Sequence, residues 1–364
     1  MSTRAAGAER RLRLLVYTDN RQPGGADRSL SHLIAALDAH ADVVVLGISR
    51  EIVDWVARGC PHAETAVVVP PRSGHDLRSL VAHIRALRSL RPDVVHVNLS
   101  SPWSCQYAIA AAAFTRRPIV AVYQLPVPPV STRQRLAKRL TSTAVARHVG
   151  VGEQTSREVE ILLGLATGSV RTIHNGVPDI AVEPRDRARP GPIVGAVGRI
   201  EQQKGFDVLL RAFRDVDEAT LVIVGDGSER EGLQALGREL GIDARVVWQG
   251  WSESARSYFP SFDVFVLPSR FEGFPLAVLE AHLAETAVVA ADVGSVRDAV
   301  RHGETGLLVP PEDGEALAAA IRRLLGDADL RRRLARSGRR LVLERFTADH
   351  MARSFRALYD ELVG

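Results

Sequence analysis

The chain has 364 residues, more than one ordinary hydrophobic core organises, so two domains are expected. Hydrophobic residues make up 46% and charged residues 25%, a balance that excludes a disordered chain. The formal charge is only +4, and with 45 arginines against two lysines the basic pI reflects the arginine usage of a G·C-rich, bacterial genome more than one basic face.

Short β-branched runs alternate with helical stretches from end to end. Leu12–Thr18, Asp42–Gly47, Ala66–Pro70, Asp93–Val97 and Pro118–Tyr123 read as strands, with amphipathic segments such as Ser29–Ala39 and Asp76–Leu90 between them. A basic amphipathic helix is expected over Ser131–Arg147, with Arg133, Arg135, Lys138, Arg139 and Arg147 among apolar residues. It reads either as a face against a membrane or as a plain solvated face. The stiff run Pro126-Val127-Pro128-Pro129 precedes it.

The charged, Pro-rich stretch from Glu183 to Pro192 has the composition of an interdomain linker. Strands then resume at Ile193–Val197, Leu221–Val224, Arg245–Trp248, Asp263–Leu267, Ala287–Ala290 and Gly306–Val309. The chain turns helical from Glu315 to Glu344, and a last helix over Ala348–Val363 has Thr347 as its N-cap. Continuous apolar strands spaced by helices indicate parallel sheets covered on both faces. The expected fold class is therefore α/β, two doubly wound Rossmann-like domains facing a central cleft. The expected division is an N-terminal domain over 1–185, a C-terminal domain over 186–345, and a C-terminal helix over 346–364 that packs back on the first domain.

Cys60 and Cys105 are the only cysteines, which leaves no disulfide framework and no Cys/His metal spacing. Met1 to Arg13 lacks an apolar run, so no leader is expected, and no stretch is long enough to span a bilayer. The expectation is a cytoplasmic protein, with weak peripheral contact at the inner face of the membrane as the one alternative. Nucleic acid is not expected as a partner, because no basic stripe is interleaved with aromatics.

Three strand-to-helix loops carry candidate chemistry, as doubly wound folds place ligands at the carboxyl ends of their strands. In Ser269-Arg270-Phe271-Glu272-Gly273-Phe274-Pro275-Leu276-Ala277-Val278-Leu279-Glu280-Ala281, Glu272 lies in the loop and Glu280 on the following helix, with Pro275 suited to its first position. The loop carboxylate can meet a sugar and the helix carboxylate both ribose hydroxyls, while Gly273 lets the backbone approach a ligand. Otherwise both glutamates are solvated helix-end charges. In Gly198-Arg199-Ile200-Glu201-Gln202-Gln203-Lys204-Gly205, Arg199 and Lys204 can hold a diphosphate, or are simply exposed basic residues. Gly24-Gly25, after the first strand, forms either an anion cradle or a plain tight turn.

The 269–281 segment, together with 198–205, resembles the donor-binding and phosphate-binding motifs of the GT-B retaining glycosyltransferases of family 4. Ile173-His174-Asn175-Gly176-Val177 and Val224-Gly225-Asp226-Gly227 resemble further family segments, although Pro178 stands before the expected acidic residue, Asp179. The resemblance runs from about residue 12 to the end, and is stronger in the second half. It implies a retaining hexosyl- or glycosyltransferase of the EC 2.4 type, using a nucleotide-sugar such as a UDP- or GDP-sugar as co-substrate, with no cofactor and an unidentified small-molecule or lipid-linked acceptor.

Donor contacts carried over are Gly24, Gly25, Arg199, Lys204, Gly273, Phe274, Pro275, Leu276 and Glu280. Trp251 either stacks on the base or packs in the core. Glu272 is expected to position the transferred sugar, with Arg199 and Lys204 neutralising the leaving diphosphate. Many members carry a histidine after the fifth strand of the first domain. Here Gln124 stands at that place, with His96 and Asn98 as alternative polar groups toward the acceptor. Asp215-Val216-Asp217 and Asp327-Ala328-Asp329 fit Asp-x-Asp but lie away from the expected site, so no metal is expected. The competing readings are a nucleotide-sugar epimerase or hydrolase on the same fold, and a catalytically silent nucleotide-sugar-binding module. A dinucleotide oxidoreductase is disfavoured by the missing glycine fingerprint.

Overall fold

The computed structural model describes residues 11–73, 76–127, 132–187 and 189–364. Contacts between residues group the chain into two units. One comprises Met1–Gly150, Glu158–Arg171 and Ala352–Gly364, and the other Val151–Arg157 and Thr172–Met351. The first unit thus also holds the end of the last helix.

In the first unit β1 (Leu12–Thr18), α1 (Gly25–Leu37), β2 (Ala41–Gly47), α2 (Arg50–Ala57) and β3 (Glu64–Val67) are followed by α3 (Leu77–Leu90), β4 (Val94–Leu99), α4 (Gln106–Phe114) and β5 (Ile119–Tyr123). Then come α5 (Thr132–Ser142), β6 (Arg147–Gly150), α6 (Glu153–Leu163) and β7 (Arg171–Thr172). The sheet runs β3-β2-β1-β4-β5-β6-β7. Its central strands pair in parallel, with Leu14↔Val43 on one side of β1 and Leu14↔Val94 on the other. β1 is therefore the strand from which the order departs in both directions. Val-rich strands such as β2 are buried on both faces because helices cover each side.

The second unit repeats the arrangement with β8 (Ile193–Val197), α7 (Phe206–Phe213), β9 (Thr220–Val224), α8 (Arg230–Glu239), β10 (Val246–Gly250) and β11 (Val264–Leu267). It continues through α9 (Leu276–Leu283), β12 (Ala287–Ala291), α10 (Val296–Ala299), β13 (Leu307–Val309), α11 (Gly314–Gly326) and α12 (Ala328–Arg345). The last helix, α13 (Ala348–Val363), closes the chain. The sheet order is β10-β9-β8-β11-β12-β13, and β8 is the strand between the two diverging halves. Crevices at such points receive ligands in doubly wound sheets, because two adjacent strand-to-helix loops splay apart there.

The basic helix expected over Ser131–Arg147 ends at Ser142, and Arg147 opens β6 instead. Ser131, like Pro128 and Pro129, lies outside the described residues, as do the side chains of Arg133 and Arg135. The 315–344 stretch divides into two helices at Asp327, whose carboxylate accepts from the Leu330 N–H and caps α12. Thr347 caps α13 as expected, its Oγ1 accepting from the His350 N–H at 3.3 Å.

Candidate functional site

In the second unit two loops meet at the switch point. The 3-10 turn Gln202–Lys204 follows β8, and the loop Pro268–Pro275 follows β11. Gly205 has φ +63°, and a Cβ there would lie 2.2 Å from the Pro268 carbonyl oxygen, so only glycine lets the backbones approach this closely. Arg270 ties the same join. Its guanidinium bonds both Asp207 oxygens, at 2.9 and 2.8 Å, along with the Gln202 carbonyl and Glu312. That guanidinium holds the Asp207 carboxyl below its usual range, chiefly by hydrogen bonding.

The join brings the Lys204 Nζ to 2.6 Å from Glu272 Oε1. Ser269 Oγ donates to the same oxygen at 2.7 Å. Glu272 is 8% exposed and Glu280, a turn into α9, is 5% exposed. They are therefore not the solvated helix-end charges of the competing reading. Oε2 of Glu272 keeps no partner among the described residues and remains available to a hydroxyl. Gly294, at φ +51°, packs against this loop so tightly that a Cβ would come within 1.9 Å of the Glu272 carbonyl oxygen. The Ser295 N–H also donates to the Gly273 carbonyl.

Arg199, in the loop after β8, is exposed and has no side-chain partner among the described residues. Its loop is held by the Ile200 N–H on the Asp226 carbonyl and by Gly225, at φ +146°, whose Cβ position lies 1.8 Å from the Gly198 carbonyl oxygen. Trp251, just past β10, is 60% exposed, which excludes the core-packing alternative. Two carried-over donor contacts turn inward. The Phe274 ring packs on His174 and Phe346 at 4.8 and 5.1 Å, and Leu276 is buried, so a ligand would meet their main chain only. Pro275 is the N-cap of α9 rather than its first helical residue.

The Asp-x-Asp pairs stand on other business. Asp215 is exposed before β9 and pairs with Arg214, while Asp329 pairs with Arg332. No cluster of three or more His, Cys, Asp or Glu side chains with metal-binding geometry occurs among the described residues.

In the first unit, Gly24 and Gly25 open α1, and a Cβ on either would meet nothing within 4 Å. The space above them is open to a ligand. Gln124, at the end of β5, donates to Asn98 Oδ1 at 2.8 Å, and Asn98 Nδ2 donates to the Ala26 carbonyl at 2.9 Å. The two expected polar groups thus form a relay into the first turn of α1. Asp27 completes this corner. It is buried and accepts from Thr18 Oγ1 at 2.8 Å and Asn20 Nδ2 at 2.8 Å, and burial raises its pKa. The acid three residues after Gly24 was the sequence signal for this anchor, which motif reading leaves without a role.

His96 is corrected from a candidate for the acceptor side to a core residue. It is 1% exposed, its Nδ1 lies 2.7 Å from the Tyr359 hydroxyl, and burial pushes its pKa down to about 3. Its ring packs on Phe355 at 5.2 Å.

The family model for glycosyl transferases group 1 matches residues 182–341, and that for glycosyltransferase family 4 matches residues 23–179. The lipopolysaccharide core biosynthesis glycosyltransferase LpsE of Rhizobium meliloti is 30% identical over 58% of this chain. That match spans 62% of LpsE, a little under two thirds of its length. The lipopolysaccharide core biosynthesis mannosyltransferase LpcC of Rhizobium leguminosarum bv. viciae is 30% identical over 64% of this chain and 73% of its own. Among solved structures, Anabaena Alr3699/HepE in complex with UDP-glucose superposes with a TM-score of 0.84 over 96% of this chain and all of its own, at 18% identity. That likeness is one of fold, and the fold is GT-B.

Proposed function

The chain belongs to the group 1 glycosyl transferases, family 4, and from that membership we propose that it moves a sugar from a nucleoside-diphosphate sugar to an acceptor hydroxyl, with retention and without a metal. The observation that carries this reading is the ion pair of Lys204 with the buried Glu272, which joins the two loops best suited to a diphosphate and a sugar.

The costly event in breaking a nucleotide-sugar bond is the charge that develops on the leaving diphosphate. Arg199, unpaired among the described residues, offers a rigid fork for it, and Lys204 a second cation whose position Glu272 sets. Fixed donors of this kind do what a divalent metal does elsewhere. Glu272 Oε1 already holds two donors, so this carboxylate suits orientation of the sugar through Oε2 better than attack on it. The attacking hydroxyl is then deprotonated by the leaving phosphate on the same face. Glu280 suits the ribose hydroxyls and Trp251 the base, and within the first unit the open Gly24–Gly25 backbone suits an anion. Gln124, positioned by the buried Asn98, suits a sugar hydroxyl. A UDP-sugar is the favoured donor, since HepE binds UDP-glucose. A glycolipid acceptor is favoured by the names of LpsE and LpcC.

Calorimetry of EDTA-treated protein with UDP-, GDP-, TDP- and ADP-sugars tests the reading. Binding of one base in the micromolar range, weakened about ten-fold or more in Lys204→Ala and Glu280→Ala, is the expected result. Binding that requires added metal overturns the metal-independent mechanism. Absence of binding to every nucleotide-sugar overturns the donor assignment.

A further inference from the structure

One face of the first unit carries charge of a single sign. Between Leu77 and Gly152 the sequence holds ten arginines and one lysine against a single acid, Asp93. The whole chain is only +4, so the rest of it is net acidic and this segment is set apart.

The fold gathers the segment on one side of a sheet. Leu87 and Leu90 of α3 and Ala108 and Ile109 of α4 share a core with Leu15, Val95 and Ala121 of the strands beneath. α5 joins the layer through Lys138, whose ammonium lies over the ring of Tyr123, a member of that core. α6 joins the same layer through Val159, Leu162 and Leu163 and carries acids such as Glu158, so the single-signed part of the outer surface is the part built from α3, α4 and α5.

That surface is cationic and apolar together. Arg78, Arg85, Arg88, Arg91, Arg116 and Arg117 have no carboxylate partner among the described residues, whereas arginines of the second unit such as Arg270 are bonded to acids. Leu77 is 73% exposed and Phe114 63%, and Val81, Leu136 and Leu140 are exposed beside them. A depression of about 340 Å³ is lined by Arg88, Arg91, Arg116 and Arg117 with Phe114 at its edge. A second, of about 430 Å³, is lined by Leu77, Val81, Arg78 and Arg85.

We propose that the α3–α4–α5 face docks on an anionic lipid bilayer, its arginines on headgroup phosphates and Leu77, Val81 and Phe114 at the acyl boundary. An acidic protein would leave exposed leucine and phenylalanine unmatched unless it carried its own apolar patch, and a nucleic acid offers no apolar layer to receive them. A bilayer with acidic headgroups supplies both chemistries at one depth. This is a broader surface than the single helix read from the sequence, because most of its described arginines lie on α3, at its C-cap Arg91, and in the loop after α4 that carries Arg116 and Arg117. Every residue of it lies in the first unit.

Flotation of the full chain with phosphatidylcholine vesicles, with and without phosphatidylglycerol, tests the surface. The expected result is binding only where phosphatidylglycerol is present, weakened by salt. Each arginine removed should cost about five-fold in vesicle affinity, the ~1 kcal/mol that a basic residue contributes near an anionic leaflet. Arg88→Ser/Arg116→Ser/Arg117→Ser should thus lose about a hundred-fold, and Leu77→Ser/Phe114→Ser should lose the part of the binding that resists salt. Both variants change exposed or partly exposed residues, so an unchanged unfolding midpoint shows that they fold. Equal binding to neutral vesicles, wild-type binding by the arginine variant, or preference for duplex DNA over the anionic vesicles overturns the proposal. None of these readouts involves a nucleotide-sugar, so they stand whether or not the donor site is correctly assigned.

Discussion

The Lys204 ammonium lies 2.6 Å from Glu272 Oε1 although 68 residues separate them, and the carboxylate is nearly enclosed. A pair this buried is worth little against an apolar replacement but costly to break from one side. Lys204→Met should therefore destabilise the protein by about 1–3 kcal/mol, because Glu272 is left charged without its cation. The double variant Lys204→Met/Glu272→Gln should recover part of that loss while nucleotide-sugar binding stays weak. Denaturant midpoints and calorimetry on the same samples check both halves.

Arg199 makes the opposite case. It is exposed and unpaired among the described residues, so Arg199→Ala should leave stability unchanged within about 0.5 kcal/mol. Turnover should fall about a hundred-fold or more if the guanidinium meets charge that develops as the diphosphate leaves. A loss confined to KM would place Arg199 in ground-state binding alone.

Two glycines, Gly294 in the second unit and Gly25 in the first, should separate cleanly. Gly294→Ala puts a Cβ 1.9 Å from the Glu272 carbonyl at a positive φ, so it should lower the unfolding midpoint and donor affinity together. Gly25→Ala meets no protein atom within 4 Å, and should spare the fold while weakening diphosphate binding if the ligand fills that space. Equal effects of the two on stability would contradict the packing described here.

Acid should unfold this protein through its buried histidines. Burial holds His96 at about 3, and His148 and His282 at about 4. The ordinary histidine value is about 6.5, so between there and about 4 the unfolded chain holds protons that the folded chain refuses. Stability should fall as pH drops through that window, by about 1.4 kcal/mol per pH unit for each histidine fully engaged. Above neutrality these residues contribute no slope. Urea midpoints measured from pH 7.5 to about 4.5 check the direction.

Lys138 adds an alkaline limb. It is 2% exposed, its ammonium rests over the Tyr123 ring, and burial lowers its pKa to about 8. An unfolded lysine stays charged to about 10.4, so the unfolded chain binds more protons between the two values and stability should rise with pH there. Lys138→Met should abolish this rise and stabilise the protein at neutral pH by about 1–3 kcal/mol.

The alternation of Val-rich runs with amphipathic segments determined the two parallel sheets, because a strand covered on both faces must be apolar throughout. Periodicity alone gives Ile193–Val197 and Ala348–Val363 the bounds they have in the fold. It also places Glu272, Arg199 and Lys204 in strand-to-helix loops. It misses β6, whose four residues follow a basic helical pattern too closely to be told from it. Only the tertiary structure decided that Glu272 and Lys204 share a proton-donor network, that Trp251 stands in solvent, and that Phe274 and His96 turn inward. Burial and pairing depend on which distant segments arrive, and Tyr359 reaches His96 across 263 residues of sequence. The cationic face is of the same kind, since arginines of α3, the loop after α4 and α5 become one surface only when the sheet lays those segments side by side.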